Sequence, residues 1–209
     1  MDVKAFYSEV LHISDPALVQ QLAGLTQHLQ LPKGEILIHE GEQQDRFIFL
    51  VEGVLRGFFL DGNGQEITDC FAFQCGSPAM SCVMVQEPSI ISIEAVTTCR
   101  LLTIEAPILN QLLQSNIELT QIYNALLQQA LYMHWQIKTM VCQHTAMERY
   151  RWFLRTYPGL IDKISNKHIA SFLGMTPVTL SRLRRTLREN TLPAEEGLDL
   201  SKQQHMQNL

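Results

Sequence analysis

No stretch of the sequence reaches the roughly 18 consecutive apolar residues that a membrane-crossing helix needs, and its first 15 residues lack the basic start and apolar centre of a secretory signal. A cytoplasmic protein without membrane attachment is expected. The five cysteines (Cys70, Cys75, Cys82, Cys99, Cys142) are odd in number and never spaced C-x-x-C. That excludes a disulfide framework or a thiolate zinc site, and predicts mostly buried thiols. Histidines are scattered as well: His39 has no partner in an H-x-H pattern, and neither His12 nor His28 stands beside a second ligand. A metal-dependent enzyme on a small barrel needs clustered ligands, so neither catalytic residues nor a resident metal or cofactor are expected.

What the chain does contain is a core's worth of apolar residues, 46% of 209, and an uneven distribution of charge. From Lys138 to Asn190 ten Lys and Arg face only Glu148, Asp162 and Glu189, a stretch near +7 in a chain of net charge −5. A basic unit joined to an acidic one predicts a polyanionic partner on one side only.

The hydrophobic period changes twice. After the Ser14-Asp15-Pro16 start signal, Leu18, Leu22, Leu25 and Leu29 recur at helical spacing and predict helix up to about residue 30. Between Leu31 and Glu105 the text breaks into short strand-like runs (EILIHEGE, RFIFLVEG, VLRGFFLDGNG, EITDCFAF, SIISIEAV, CRLLTIE) punctuated by glycine. These predict an antiparallel sandwich or roll, with DGNG at 61–64 its clearest hairpin. Glu66, Asp69 and Glu94 read as solvated strand and turn residues. Helical spacing returns in PILNQLLQS and in a long helix from 118 to 144. Along it Leu119, Tyr123, Leu126, Ala130, Met133, Ile137 and Met140 alternate in steps of four and three, a heptad seam suited to a second copy of the chain. Ile122, Leu127, Leu131, Trp135 and Val141 form a second apolar edge, expected to face the strands.

Residues 165–188, SNKHIASFLGMTPVTLSRLRRTLR, carry the sharpest signal. Ser165 can cap one short helix with Ile169, Ala170 and Leu173 inward, and Gly174 supplies the left-handed stop. Thr176 and Pro177 start a second helix with Leu180, Leu183 and Leu187 inward. Its other side presents Val178, Thr179, Ser181, Arg182, Arg184, Arg185 and Arg188, which suits the major groove of double-stranded DNA, with Lys167 nearby. The tail from 191 to 209 is polar and expected to be poorly ordered.

LPKGEILIHEGEQQDRFIFLVEGVLRGFF, the long helix and the helix pair with Leu180-Ser181-Arg182, in that order, resemble the Crp/Fnr family of bacterial transcription regulators along nearly the whole chain. The resemblance implies an α+β protein. An N-terminal antiparallel, jelly-roll-like β-roll of the cyclic-nucleotide-binding type (1–117) would sense an effector. A dimerisation helix (118–144) and a winged-helix or helix-turn-helix DNA-binding unit (145–190) would follow. It also implies a homodimer on a two-fold-related operator, RNA polymerase as a further partner, Ser181 on a phosphate and Arg182 on a base edge.

Cyclic-AMP-binding members carry a Gly-Glu pair followed about ten residues later by Arg-Ser or Arg-Thr. Here Ser77 follows Gly76, and Ser89-Ile90 stand at the second place, leaving Arg56 or Arg100 on neighbouring strands as the only substitutes for the missing charge. Cyclic AMP is therefore not the expected effector. The cysteine-free first 69 residues are also unlike members that hold an iron–sulfur cluster there, and Cys75 and Cys82 read as thiols rather than haem ligands. Val178 stands three positions before Ser181, where the family often has an acidic residue, so contact with a thymine methyl is expected instead. An effector-independent member, or a ligand-sensing roll whose main role is not DNA binding, are the alternatives.

Overall fold

A computed structural model of the chain describes residues 1–80 and 87–191. Cys82 and the tail from residue 192 onward lie outside the described residues. A short helix, α1 (Val3–Ala5), runs into a π-helical turn at Phe6–Val10, and α2 (Pro16–Leu25) follows. Asp15 caps α2 by accepting from the Ala17 N–H at 2.9 Å, as the start signal predicts.

Among the described residues seven antiparallel strands form two sheets: β1 (Gln27–Leu31), β2 (Ile36–Ile38), β3 (Arg46–Glu52), β4 (Leu55–Leu60), β5 (Glu66–Ala72), β6 (Ser92–Ala95) and β7 (Cys99–Glu105). One sheet has the order β1-β7-β3 and the other β2-β6-β4-β5, so β5 is an edge strand. The expected roll is present. Asp61 Oδ1 accepts from the N–H groups of Asn63 and Gln65 at the β4–β5 turn, tying the hairpin at DGNG.

Residues 27–31 depart from the expected helix. The Thr26 hydroxyl turns back onto the Leu22 carbonyl at 2.7 Å and accepts or donates a 2.6 Å bond with the Tyr7 hydroxyl. The chain then leaves the helix and pairs, Gln27 to Leu31, with Thr103 to Cys99 of β7. Leu29 fits a helical period and an alternating one equally well, and the pairing across some 70 residues decides for strand.

Strands β3 and β7 are apolar on both faces because each lies between two cores. Ile48, Leu50 and Leu101 fill the space between the sheets with Leu31, Ile38, Leu55, Ile91, Ile93 and Ala95. Phe47, Phe49, Leu102 and Ile104 point outward under Phe6, Tyr7, Leu18, Leu22 and Leu109. Gly53 shows why the β3–β4 turn is glycine: its φ is +109°, and a Cβ there would meet Cys99 Sγ at 2.6 Å and the Thr98 carbonyl at 2.7 Å.

Helices α3 (Ala106–Ser115) and α4 (Ile117–Gln143) leave the roll, and Asn116 caps α4 through the Leu119 N–H at 3.0 Å. The division of faces expected for α4 is followed only at Ile122. Leu119 is buried in the chain's own outer core, with Ile122, Tyr123 and Leu126 packed against it. Met133 and Ile137 pack on the C-terminal core, while Ala130 and Met140 are half-buried. Leu131, Tyr132 and Trp135 are exposed instead, at 58%, 64% and 58%, with Val141 at 37%. The heptad period marks an apolar face correctly but does not name its occupant, and here the roll and the C-terminal helices take it.

The C-terminal helices are α5 (Ala146–Thr156), α6 (Asn166–Phe172) and α7 (Pro177–Thr191). A Thr145–Glu148 capping box starts α5. Among the described residues no strand occurs after Glu105, so a wing is not part of 145–191. Their core joins Tyr150, Phe153, Tyr157, Phe172 and Leu180 to Phe71 of β5 and to Val54 and Val96, which lie just before β4 and just after β6.

Candidate nucleic-acid interface

The α6–α7 pair forms as its local signals dictate. Ser165 Oγ accepts from the His168 N–H at 3.2 Å. Gly174, with φ +60°, ends α6 while the Met175 N–H reaches the Ala170 carbonyl at 2.9 Å. Thr176 Oγ1 accepts from the Thr179 N–H at 3.1 Å at the start of α7. Ile169, Ala170, Phe172, Leu173 and Leu180 are buried between the helices, and Leu183 and Leu187 complete the inner face. Ala170, fully buried, permits the close approach.

The opposite face of α7 is open. Thr176, Pro177, Val178, Ser181, Arg182, Arg185 and Arg188 are exposed, Val178 at 60%. Two expected members are differently engaged. Thr179 is half-buried with its hydroxyl 2.9 Å from that of Thr176, and Arg184 Nη1 turns back to donate to Asn166 Oδ1 at 2.6 Å. Arg185 lies 3.6 Å from Glu189 on the surface. Arg149 was missed in the sequence: its Nη1 donates to the carbonyls of both Val141 and Gly174 at 3.4 Å, tying the end of α4 to the turn of the helix pair.

The four residues considered for an effector are not brought together. Arg56 is 1% exposed and paired with two carboxylates. Its Nη2 lies 2.7 Å from Glu66 Oε2, its Nε 2.8 Å from Glu94 Oε1, and its guanidinium carbon 4.3 Å from the centre of the Phe58 ring. Arg100 is exposed and paired with Glu52 at 2.6 Å. Ser89 is buried, its hydroxyl donating to the Ile91 carbonyl, and Ser77 hydrogen-bonds through its backbone to Leu50. Both arginines are paired with carboxylates in this structure.

Glu66 and Glu94 are correspondingly not plain solvated residues. The Arg56 hydrogen bond holds the Glu66 carboxyl below its ordinary range, whereas burial pushes Glu94 up against the pull of the same arginine. Arg56 and Glu94 are directly opposed in the β4–β6 register, a cross-strand pair that strand alternation could have suggested. The thiols also divide: Cys99 is buried and Cys70 half-buried, but Cys75 and Cys142 are exposed. Among the described residues no group of three or more His, Cys, Asp or Glu is placed to hold a metal ion, and no helix is long and apolar enough to cross a membrane.

Comparison with known proteins gives two findings. The family model of the cyclic nucleotide-binding domain matches residues 28–116, which spans the two sheets and α3. Solved structures with the same fold include FixK2 from Bradyrhizobium japonicum, at TM-score 0.72 and 19% identity over 83% of this chain and 89% of that one. The c-di-GMP-responsive global regulator CLP of Xanthomonas campestris superposes at 0.69 with 13% identity, over 85% and 94%. The catabolite activator protein of Thermus thermophilus follows at 0.52 with 20% identity, over 87% of each. No curated protein sequence matches the chain.

Proposed function

We propose that the chain is a sequence-specific DNA-binding transcription regulator of the Crp/Fnr type, a homodimer acting on a two-fold-related operator and working with RNA polymerase. One observation carries this reading: the outer face of α7, held out by a buried leucine-and-alanine seam against α6, exposes Val178, Ser181, Arg182, Arg185 and Arg188 together. A helix with several exposed arginines on one face fits the major groove, where arginine is the commonest partner of guanine. The likeness in fold, over more than four-fifths of the chain, to a global regulator of virulence gene expression and to a catabolite activator protein supports it. The reading assigns 1–117 to sensing, 118–144 to pairing of subunits and 145–190 to DNA.

In this reading Arg182 reads a base, Ser181 and Arg188 hold phosphates, and Val178 meets a thymine methyl. Lys167, Thr176 and Pro177 line the approach to the backbone. The roll does not take cyclic AMP in the usual manner, because Arg56 already serves two carboxylates and the space between the sheets is filled with apolar side chains. No catalytic step is assigned. Selection of binding sites from a random-sequence duplex library tests the proposal. A two-fold-related consensus with half-sites about 34–36 Å apart, or a multiple of that spacing, is expected. Recovery of unselected sequence at every salt concentration would overturn it.

A further inference from the structure

The free edge of β5 is covered by α6, and the contact is specific. Thr68 N–H and Glu66 C=O point from the same side of the edge strand. A single hydroxyl serves both: Ser171 Oγ accepts from the Thr68 N–H at 2.9 Å and donates to the Glu66 carbonyl at 3.2 Å. Beside it Glu66 Oε2 lies 3.9 Å from Lys167 Nζ as well as 2.7 Å from Arg56. Below, the Phe71 ring sits 5.2 Å from that of Phe172.

Resting on the reading of α6 and α7 as the DNA-binding unit, we propose that this contact is a latch holding that unit against the roll, and that its closure lowers the affinity for DNA. Three features argue for closure. Glu66 occupies Lys167, a residue placed at the approach to the DNA backbone, so a phosphate arriving there must displace a carboxylate. Glu94 and Glu66 lie on the sheet that flanks α6, and the chain outside 138–190 carries about −12, so DNA brought to this flank meets like charge. The polar part of the latch is also small, two hydrogen bonds and one long ion pair, which suits a contact made and broken reversibly. Its apolar part, Val54, Phe71 and Val96 against the C-terminal core, favours the closed state when DNA is absent.

The Thr68 amide reports the latch directly, because its partner Ser171 comes from the other unit. Hydrogen exchange at Thr68 is measured in the full chain alone and with a random-sequence duplex of about 40 base pairs at about 50 mM salt, where phosphate contacts dominate. DNA is expected to accelerate exchange at Thr68 while leaving the β3–β7 amides protected. Ser171→Ala and Glu66→Gln, each measured separately, are expected to bind the duplex about three- to tenfold more tightly, since a closed population lowers apparent affinity by its own share. Thr68 equally or better protected on DNA, with Ser171→Ala binding no more tightly than the parent, would overturn the latch and leave the DNA reading standing. Absence of binding by the parent and by both variants would sink the DNA reading, and the latch with it.

Discussion

At the scale of single residues, exposure separates the arginines of α7 by task. Arg182 is exposed in the middle of the outer face, whereas Arg184 is committed to Asn166. Arg182→Ala is expected to lose about 1–3 kcal/mol of specific binding and to relax preference at one position of each half-site. Arg188→Ala should weaken binding evenly across sequences and flatten its salt dependence. Competition binding against single-base variants of the selected site separates the two, and an unchanged consensus for Arg182→Ala would remove that residue from base readout. His168 is the titrating group beside the latch, facing Arg56, Glu66 and Lys167. Burial first, then the two cations, holds its pKa down from 6.5 to about 4, against the opposing pull of Glu66. A histidine depressed in the docked form favours docking while it is neutral. Its contribution is therefore present above about pH 6.5 and lost as pH falls toward 4. Exchange at Thr68, corrected for its intrinsic pH dependence, should rise across that window in the parent and stay flat in His168→Leu. The same slope in both would assign the effect to another group.

At the scale of elements, α4 divides into a face the chain keeps for itself and a face it leaves open. Leu126→Glu with Met133→Glu would place charge against both of the chain's own cores and is expected to destabilise the fold by several kcal/mol, visible as a lowered Tm. Leu131→Glu with Trp135→Glu touches neither core. In sedimentation it should give folded monomers from a dimeric parent; an intact dimer would move the subunit contact off α4. The same helix shows what sequence makes legible. Its length and its apolar period are local properties, as are the DGNG hairpin, the Gly174 stop and the Thr176-Pro177 start, and all were readable. The occupant of a face was not, because it depends on packing between distant segments. Strand β1 escaped for the same reason: Leu25, Leu29 and Leu31 satisfy two periods, and only the pairing with β7 distinguishes them. Arg56 was read as an available cation because its two carboxylates lie on other strands, one of them across a tertiary register. Ser171, in the last turn of α6, carries no local signal of the strand edge it serves.

At the scale of the molecule, an acidic roll and a basic helical unit share one core across β5. Arg56 is already paired with Glu66 and Glu94, so calorimetric titration with cyclic AMP or cyclic GMP up to millimolar concentration is expected to give no heat of binding. A micromolar Kd for either would mean that Arg56 exchanges a carboxylate for a phosphate. The covered edge of β5 has a further consequence, for solubility. Unpaired strand edges recruit strands from other chains, and proteins shield them. In this fold the shield is a helix more than 100 residues downstream of the strand it protects. Any fragment ending near residue 144, whether from incomplete synthesis or from cleavage between α4 and α5, would carry the roll with the Thr68 amide, the Glu66 carbonyl and the Phe71 ring uncovered. Light scattering of a 1–144 fragment should grow with time and concentration while the full chain stays clear, and a charged substitution at the edge, Thr68→Lys, should suppress the growth. Helix α6 is thereby also a guard against self-association, and any state in which it left β5 would have to be short-lived or held by a partner to remain in solution.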